Sequence, residues 1–264
     1  MGQLFKMKSM VSFSGGKDST AMLLRLIELD DSVDAIAFAD TGFEFPELYD
    51  YIKKIEETIE RKVKVLKPNK DFKEWFYGIP EKGERHDKGL QRGFPVEIGY
   101  CWWTREAKII PLKRFQKKFD NVYVGIAYDE RERMSEEDNN ISYPLVKWKW
   151  SEQDCVNYLN EKGLLNPLYV NFNRLGCWFC PKQGIGSLYV LWKNYPELWE
   201  KFKWWDNEQF KINGRYIKSA SIESYEKLFE QGKTPAKLPK YDCWNGCESV
   251  KRAFQSRQMV LGQC

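Results

Sequence analysis

The sequence predicts an α/β protein with a doubly wound, mostly parallel sheet and a smaller helical C-terminal region. Three observations predict it. Short apolar runs alternate with amphipathic stretches from near the start of the chain, the pattern of strand, helix and strand in a parallel sheet. A Gly-Gly pair stands where the first apolar run gives way to the first amphipathic one, and after Cys177 and Cys180 the pattern changes to Trp-rich and Lys-rich helical spacing.

Taken in order, the apolar residues up to Phe13 read as a first strand, and Met22, Leu23, Leu26 and Ile27 recur at helical spacing beyond it. Val33 to Ala39 is a second strand, whose nearly unbroken apolar character suits burial on both faces. Pro46 fits the first turn of an amphipathic helix reaching about Arg61, and Val63 to Leu66 makes a third strand. Residues 78–100 are polar, charged and Gly-containing, which predicts a long loop. A helix from about Thr104 to Lys118 leads to a strand over Val122 to Ile126, and a further strand is expected near Tyr143 to Val146. Ser151, followed by Glu152 and Asp154, starts a capped helix to about Glu161. Helices are expected over 184–211 and 222–232, and the chain is expected to divide near 182 into units 1–182 and 183–264.

The 264 residues carry 42 basic and 38 acidic side chains, a net charge of +4 that describes a mixed surface and not a polycation. No apolar run of about 18 residues and no signal peptide is present, so a soluble, cytoplasmic protein with no membrane partner is expected. Seven cysteines without an export signal argue against a disulfide framework and for metal or redox chemistry. Most of the eleven tryptophans are expected in the core, a stacking surface for a base being the alternative. His86 lies in the polar loop and is not expected to ligate a metal.

The segment Ser12-Phe13-Ser14-Gly15-Gly16-Lys17-Asp18-Ser19-Thr20 occupies the strand-to-helix turn. Adjacent glycines let consecutive N–H groups converge on an anion at a positive helix end, with hydroxyls from Ser14, Ser19 and Thr20 and a charge from Lys17. It resembles the PP-loop, SGGxDS, of the ATP pyrophosphatase superfamily. That resemblance implies ATP as ligand, held by the loop from Ser12 to Thr20, with cleavage at the α-phosphate and Asp18 as the carboxylate for Mg²⁺.

Asp40-Thr41-Gly42-Phe43-Glu44-Phe45-Pro46-Glu47 ends the second strand and resembles the DTGxxFPE signature of the phosphoadenosine phosphosulfate (PAPS) reductase-like family. The segments Tyr100 to Lys108, Gly125 to Arg133, Tyr143-Pro144-Leu145, Asn166-Pro167-Leu168-Tyr169 and Gly176-Cys177 extend the resemblance over about residues 8–182. It implies an adenine nucleotide alpha hydrolase-like fold and adenosine contacts from Asp40, Thr41 and Gly42. Arg105, Lys108, Arg131 and Arg133 are the cations expected to face phosphate or sulfate oxygens, Arg105 and Lys108 beside Lys17 and Asp18 at the reacting centre.

The family's iron–sulfur branch implies a 4Fe-4S cluster on Cys101, Cys177 and Cys180. The fourth ligand is left open among Cys155, Cys243, Cys247 and none, with zinc as the alternative metal. The activity implied is ATP-dependent adenylation of an acceptor for sulfur transfer, the acceptor being a nucleic acid such as tRNA or DNA and the donor a protein such as a cysteine desulfurase. Alternatives are a sulfonucleotide reductase served by thioredoxin, for which the terminal Cys264 is suggestive but lacks the expected motif, and a non-catalytic nucleotide-binding subunit of a modification or defence complex. Homo-oligomerisation stays open.

Overall fold

The computed structural model describes residues 7–95, 101–135 and 140–236. Five strands, β1 (Ser9–Phe13), β2 (Ala35–Ala39), β3 (Val63–Leu66), β4 (Asn121–Val124) and β5 (Ile141–Ser142), form one sheet of order β3-β2-β1-β4-β5. Every pairing is parallel, with Val11 opposite both Ile36 and Tyr123. The order runs outward in one direction from β1 to β3 and in the other from β4 to β5. The switch therefore falls beside β1, where open α/β sheets hold ligands at the carboxyl ends of their strands.

Helices cover both faces, as the alternation of side chains requires. Val11, Phe13, Ile36 and Phe38 join the main core, whereas Met10, Ala37 and Val122 face the other way onto Leu112, Phe115 and Phe119. On the main face α1 (Lys17–Glu28) packs against α8 (Glu152–Glu161), and α2 (Pro46–Ile59) buries Leu48, Tyr51, Ile52 and Ile55. Both short α3 (Phe72–Tyr77) and α8 begin with a capping box, Asp71 with Glu74 and Ser151 with Asp154. The polar stretch after Tyr77 contains the single turn α4 (Glu84–Asp87), and it is pinned where Phe94 N–H donates to Gln209 Oε1 at 2.8 Å.

The helix expected from Thr104 begins earlier and is not uniform. It consists of α5 (Trp102–Thr104), a π-helical turn (Arg105–Ile109) and α6 (Ile110–Gln116). Pro111 has no N–H to donate back into this turn, and its ring crowds the preceding carbonyls, which gives a reason for the wider winding there.

Two expectations need correction. The strand expected near Tyr143 to Val146 ends before that stretch, β5 stopping at Ser142, and Tyr143 caps helix α7 (Pro144–Trp148), because Pro144 cannot extend a ladder but is preorganised for a first helical turn. The helix expected over 184–211 is two helices, α9 (Ile185–Asn194) and α10 (Pro196–Asn213), broken where Pro196 keeps Tyr195, at φ −136° and ψ 63°, out of the helical region. With α11 (Ile222–Glu230) they form the C-terminal layer. Asp206, almost fully buried, holds this layer by accepting from the Ile217 and Ile222 N–H groups at 2.7 and 2.8 Å. Leu188, Leu191, Trp199, Phe202 and Trp205 belong to the same apolar cluster as the residues of the sheet's main face.

Candidate functional site

The turn after β1 is built to bring backbone N–H groups to one point. Gly15 has φ +72°, and a side chain there would put Cβ 2.5 Å from Leu48 Cδ1, so only glycine fits. Gly16 caps α1 with backbone alone, having no side chain to offer, and its own N–H donates to the Ser14 hydroxyl at 3.3 Å. The loop is fastened from the far side of the sequence: Asn166 Nδ2 donates to the Gly15 carbonyl at 2.9 Å, and the Lys17 N–H donates to the Tyr169 hydroxyl at 3.0 Å. Ser14 and Ser19 hydroxyls lie 2.9 Å apart, and the buried Thr20 hydroxyl donates to the Gly16 carbonyl at 2.9 Å, so Thr20 locks the turn. Ser12, within β1, pairs with Ala37 and Val124.

This loop floors a cavity of about 200 Å³. Lys17, its side chain 5% exposed, donates to Glu152 Oε1 at 2.5 Å and lies 3.3 Å from Asp18 Oδ2. Asp18, Glu130 and Glu152 bring one oxygen each within 4.8 Å of one another. Burial is the main reason that the Asp18 carboxyl is pushed up to about 6, with Lys17 opposing and Glu152 adding to the rise. Asp18 Oδ1 is buried without a hydrogen-bond partner.

Of the four other predicted cations, Lys108 and Arg133 line this cavity. Arg133 pairs with Glu130, and Lys108 Nζ lies 3.3 Å from Glu44, whose side chain is 2% exposed. Arg105 does not reach it: it is more than half exposed and bonded to Glu106 at 2.7 Å. Arg131 instead caps its own turn, donating to the Tyr128 carbonyl and lying over the Tyr128 ring.

Glu44 links this cavity to the thiols. Thr41 Oγ1 donates to Glu44 Oε1 at 3.0 Å and lies 3.4 Å from Cys177 Sγ. Burial pushes the Cys177 thiol up to about 12; Glu44 adds to this, and Lys108 and Thr41 oppose it. Cys180 is also raised by burial, with Cys101 among its charged neighbours. Cys177 and Cys180 line a second cavity of about 440 Å³, and Asn173, Arg174, Leu175 and Gly176 border both this cavity and the phosphate-loop one. Among the described residues no three cysteine sulfurs lie within 4.8 Å of one another, whereas thiolates on one zinc stand about 4 Å apart.

Cys155 is fully buried on α8, where its strongest electrostatic neighbours are Asp18 and Lys17 and not the other thiols, which sets it apart from the trio as a fourth ligand. Cys243, Cys247 and Cys264 lie outside the described residues. Asp40, Thr41 and Gly42 edge a third and larger cavity of about 820 Å³. The Asp40 carboxylate there is already used by the Gly42 N–H and the Tyr49 hydroxyl, each at 2.8 Å.

The sequence profile of the phosphoadenosine phosphosulfate reductase domain matches residues 8–183, the stretch that contains the sheet, the phosphate loop and the Cys-x-x-Cys knuckle. The chain belongs to the PAPS reductase family. Two curated family relatives come from Methanocaldococcus jannaschii. Uncharacterized protein MJ0973 is 30% identical over 207 residues, covering 72% of this chain and 46% of that protein. Uncharacterized protein MJ0066 is 31% identical over 214 residues, covering 75% and 40%. The chain thus spans less than half the length of these relatives.

Among solved structures, this PAPS reductase-family chain is similar to a phosphoadenylyl-sulfate reductase from Candida auris in its phosphate complex. The TM-score is 0.48 with 19% identity, over 66% of this chain and 83% of that one. It is also similar to the U34-tRNA thiolase NcsA from Methanococcus maripaludis with its 4Fe-4S cluster, at a TM-score of 0.40 and 16% identity over 89% and 84%. Among the described residues no helix is long and apolar enough to cross a membrane.

The residues that sequence reasoning missed as site residues are Glu44, Glu130, Glu152, Asn166, Tyr169 and Arg174. Glu152 carried a signal, but one that its position at a helix start already accounted for.

Proposed function

We propose that this member of the PAPS reductase family binds ATP with Mg²⁺, cleaves it between the α- and β-phosphates and adenylates an acceptor oxygen, which a sulfur nucleophile then displaces. The observation that carries this reading is the wall shared by the phosphate-loop cavity and the Cys177–Cys180 cavity, because it sets an activating centre beside a sulfur-handling one.

Within this reading the positive start of α1 and the hydroxyls of Ser14 and Ser19 receive the pyrophosphate end. Lys17 and Arg133 neutralise the charge that develops as pyrophosphate leaves. Asp18, Glu130 and Glu152 would hold Mg²⁺, and the unpartnered Asp18 Oδ1 fits that assignment, since a hard cation takes carboxylate oxygens. Cys101, Cys177 and Cys180 would hold an iron–sulfur cluster, which when bound supplies an iron able to carry sulfide. Lys108, paired with Glu44 and close to Cys177, places a positive charge where a thiolate or sulfide would form.

The test is pyrophosphate release from ATP by anaerobically purified protein. Asp18→Ala is expected to abolish it while leaving the fold intact, and unchanged release would overturn the assignment. The family match favours one second reading, reduction of a sulfonucleotide; sulfite formed from adenylyl sulfate or PAPS under reductant would establish it.

A further inference from the structure

We infer that the 820 Å³ cavity beyond the Asp40–Gly42 edge is a binding site for single-stranded nucleic acid, with one unstacked base inserted over Trp204 and the neighbouring phosphates on Lys67, Lys70, Lys73 and Lys201. The volume lies in the range of real ligand pockets. Its floor is aromatic: Phe43 is ringed by Phe72, Trp103, Trp178 and Trp205 at 4.9–6.4 Å between centroids. These rings are buried, so they give the floor its shape and rigidity. Trp204 is different. It is 44% exposed, lines the cavity and stands edge-on to Trp205 at 4.7 Å.

The four lysines are exposed, and none makes an ion pair with a described residue. Lys73 lies over the Trp204 ring at 5.3 Å, which joins the charged rim to the stacking face. The carboxylates in the same cavity are already used. Asp40 accepts from Gly42 and Tyr49, Glu44 pairs with Lys108, and Asp71 caps α3. Hydrogen bonds from neutral donors leave Asp40 and Asp71 charged, but the four lysines outnumber them, so the lining is net positive.

A base beside several cations is the recognition chemistry of a nucleotide, and the number and place of the cations identify which kind. A mononucleotide delivered to the Gly15–Gly16 loop takes its phosphates there and leaves these lysines with none to meet. A polynucleotide brings one phosphate per residue and spans them. The far wall, Leu198 to Trp205 of α10, lies outside the 8–183 family match, so it is a feature of this chain's C-terminal layer. Thr41 edges this cavity and also contacts Cys177, so a single residue separates the cavity from that thiol. Taking the strand as the sulfur acceptor rests on the adenylating reading; its binding does not.

The test uses the full chain and a fluorescein-labelled oligouridylate of about 12 nucleotides, read by anisotropy, with a duplex of equal length as control. Trp204→Ala is expected to weaken binding roughly five- to 150-fold, the range seen when one stacking ring is removed. The pair Lys70→Ala and Lys201→Ala is expected to lower the slope of log affinity against log salt by about 0.7 per lysine. Asp18→Ala is expected to bind the oligonucleotide as the unaltered protein does.

Equal binding of single strand and duplex, indifference to Trp204→Ala, or displacement of the oligonucleotide by ATP alone would each overturn the proposal, the last by giving the cavity to the base of ATP. Oligonucleotide binding that follows these expectations while no acceptor yields pyrophosphate would overturn the adenylating reading and leave this one standing.

Discussion

Asp18 gives a prediction in which stability and function move in opposite directions. Its carboxyl is pushed from the ordinary 3.8 up to about 6, chiefly by burial. The folded state therefore binds the proton more tightly than the unfolded chain, and stability is greatest when the group is protonated and falls as pH rises through about 6. The full difference of about two units corresponds to about 3 kcal/mol. Between pH 5 and pH 8 the expected loss from this group is about 1.4 kcal/mol, because at pH 5 it is already almost wholly ionised in the unfolded chain while still mostly protonated in the folded one. Asp18→Asn removes the titration and keeps the shape. In urea unfolding followed by tryptophan fluorescence with a chelator present, the variant is expected to be the more stable at pH 8. Its advantage should grow by about 1.4 kcal/mol from pH 5 to pH 8. Mg²⁺ should close that gap by stabilising only the unaltered protein, while pyrophosphate release is lost in the variant. A gap that does not change with pH, or a variant less stable at pH 8, would refute the reasoning, since the carboxylate would then be satisfied by Lys17 alone.

Three further outcomes follow from contacts in the site. In Gly125→Ala the new Cβ would stand 2.8 Å from Ser19 Cα, backbone against backbone, so β4 and α1 must separate; loss of nucleotide binding by calorimetry is expected, with destabilisation of about 1–3 kcal/mol. Lys108→Ala leaves the buried Glu44 carboxylate with only the Thr41 hydroxyl, a cost of about 1–3 kcal/mol in chemical denaturation, and Glu44→Gln in the same background is expected to recover part of it. Cys177→Ser and Cys180→Ser are each expected to lower iron and sulfide content after anaerobic reconstitution, measured by elemental analysis, whereas Cys155→Ser leaves the content unchanged because that side chain is buried apart from the others.

What could be read from the sequence was whatever is decided locally. The sheet from β1 to β3 and the turn at Gly15 and Gly16 were legible because strand, glycine pair and helix are contiguous, and their periodicities change within a few residues. Tyr143 to Val146 misled because aromatic and β-branched residues favour a strand, while Pro144 decides the backbone and starts a helix. The acidic group shows a different limit. Glu152 follows Ser151 in a helix start whose capping box already explains an acidic residue, so nothing local asked for a second role. Its convergence on Lys17 and Asp18 arises only because α8 packs on α1.

The lysine rim was hidden in the same way. Lys67, Lys70 and Lys73 lie in and beside one short connection and read as a solvated charge run until α10 brings Trp204 over Lys73. In each case the local explanation was correct and incomplete. The observations that separate a site from a surface are tertiary: a carboxylate oxygen left without a partner at Asp18, and four lysines, none ion-paired with a described residue, gathered around an exposed ring. The first is a departure from self-satisfaction, which a folded chain keeps where a ligand completes it, and the second gathers charge beside an aromatic face, where a nucleic acid finds both.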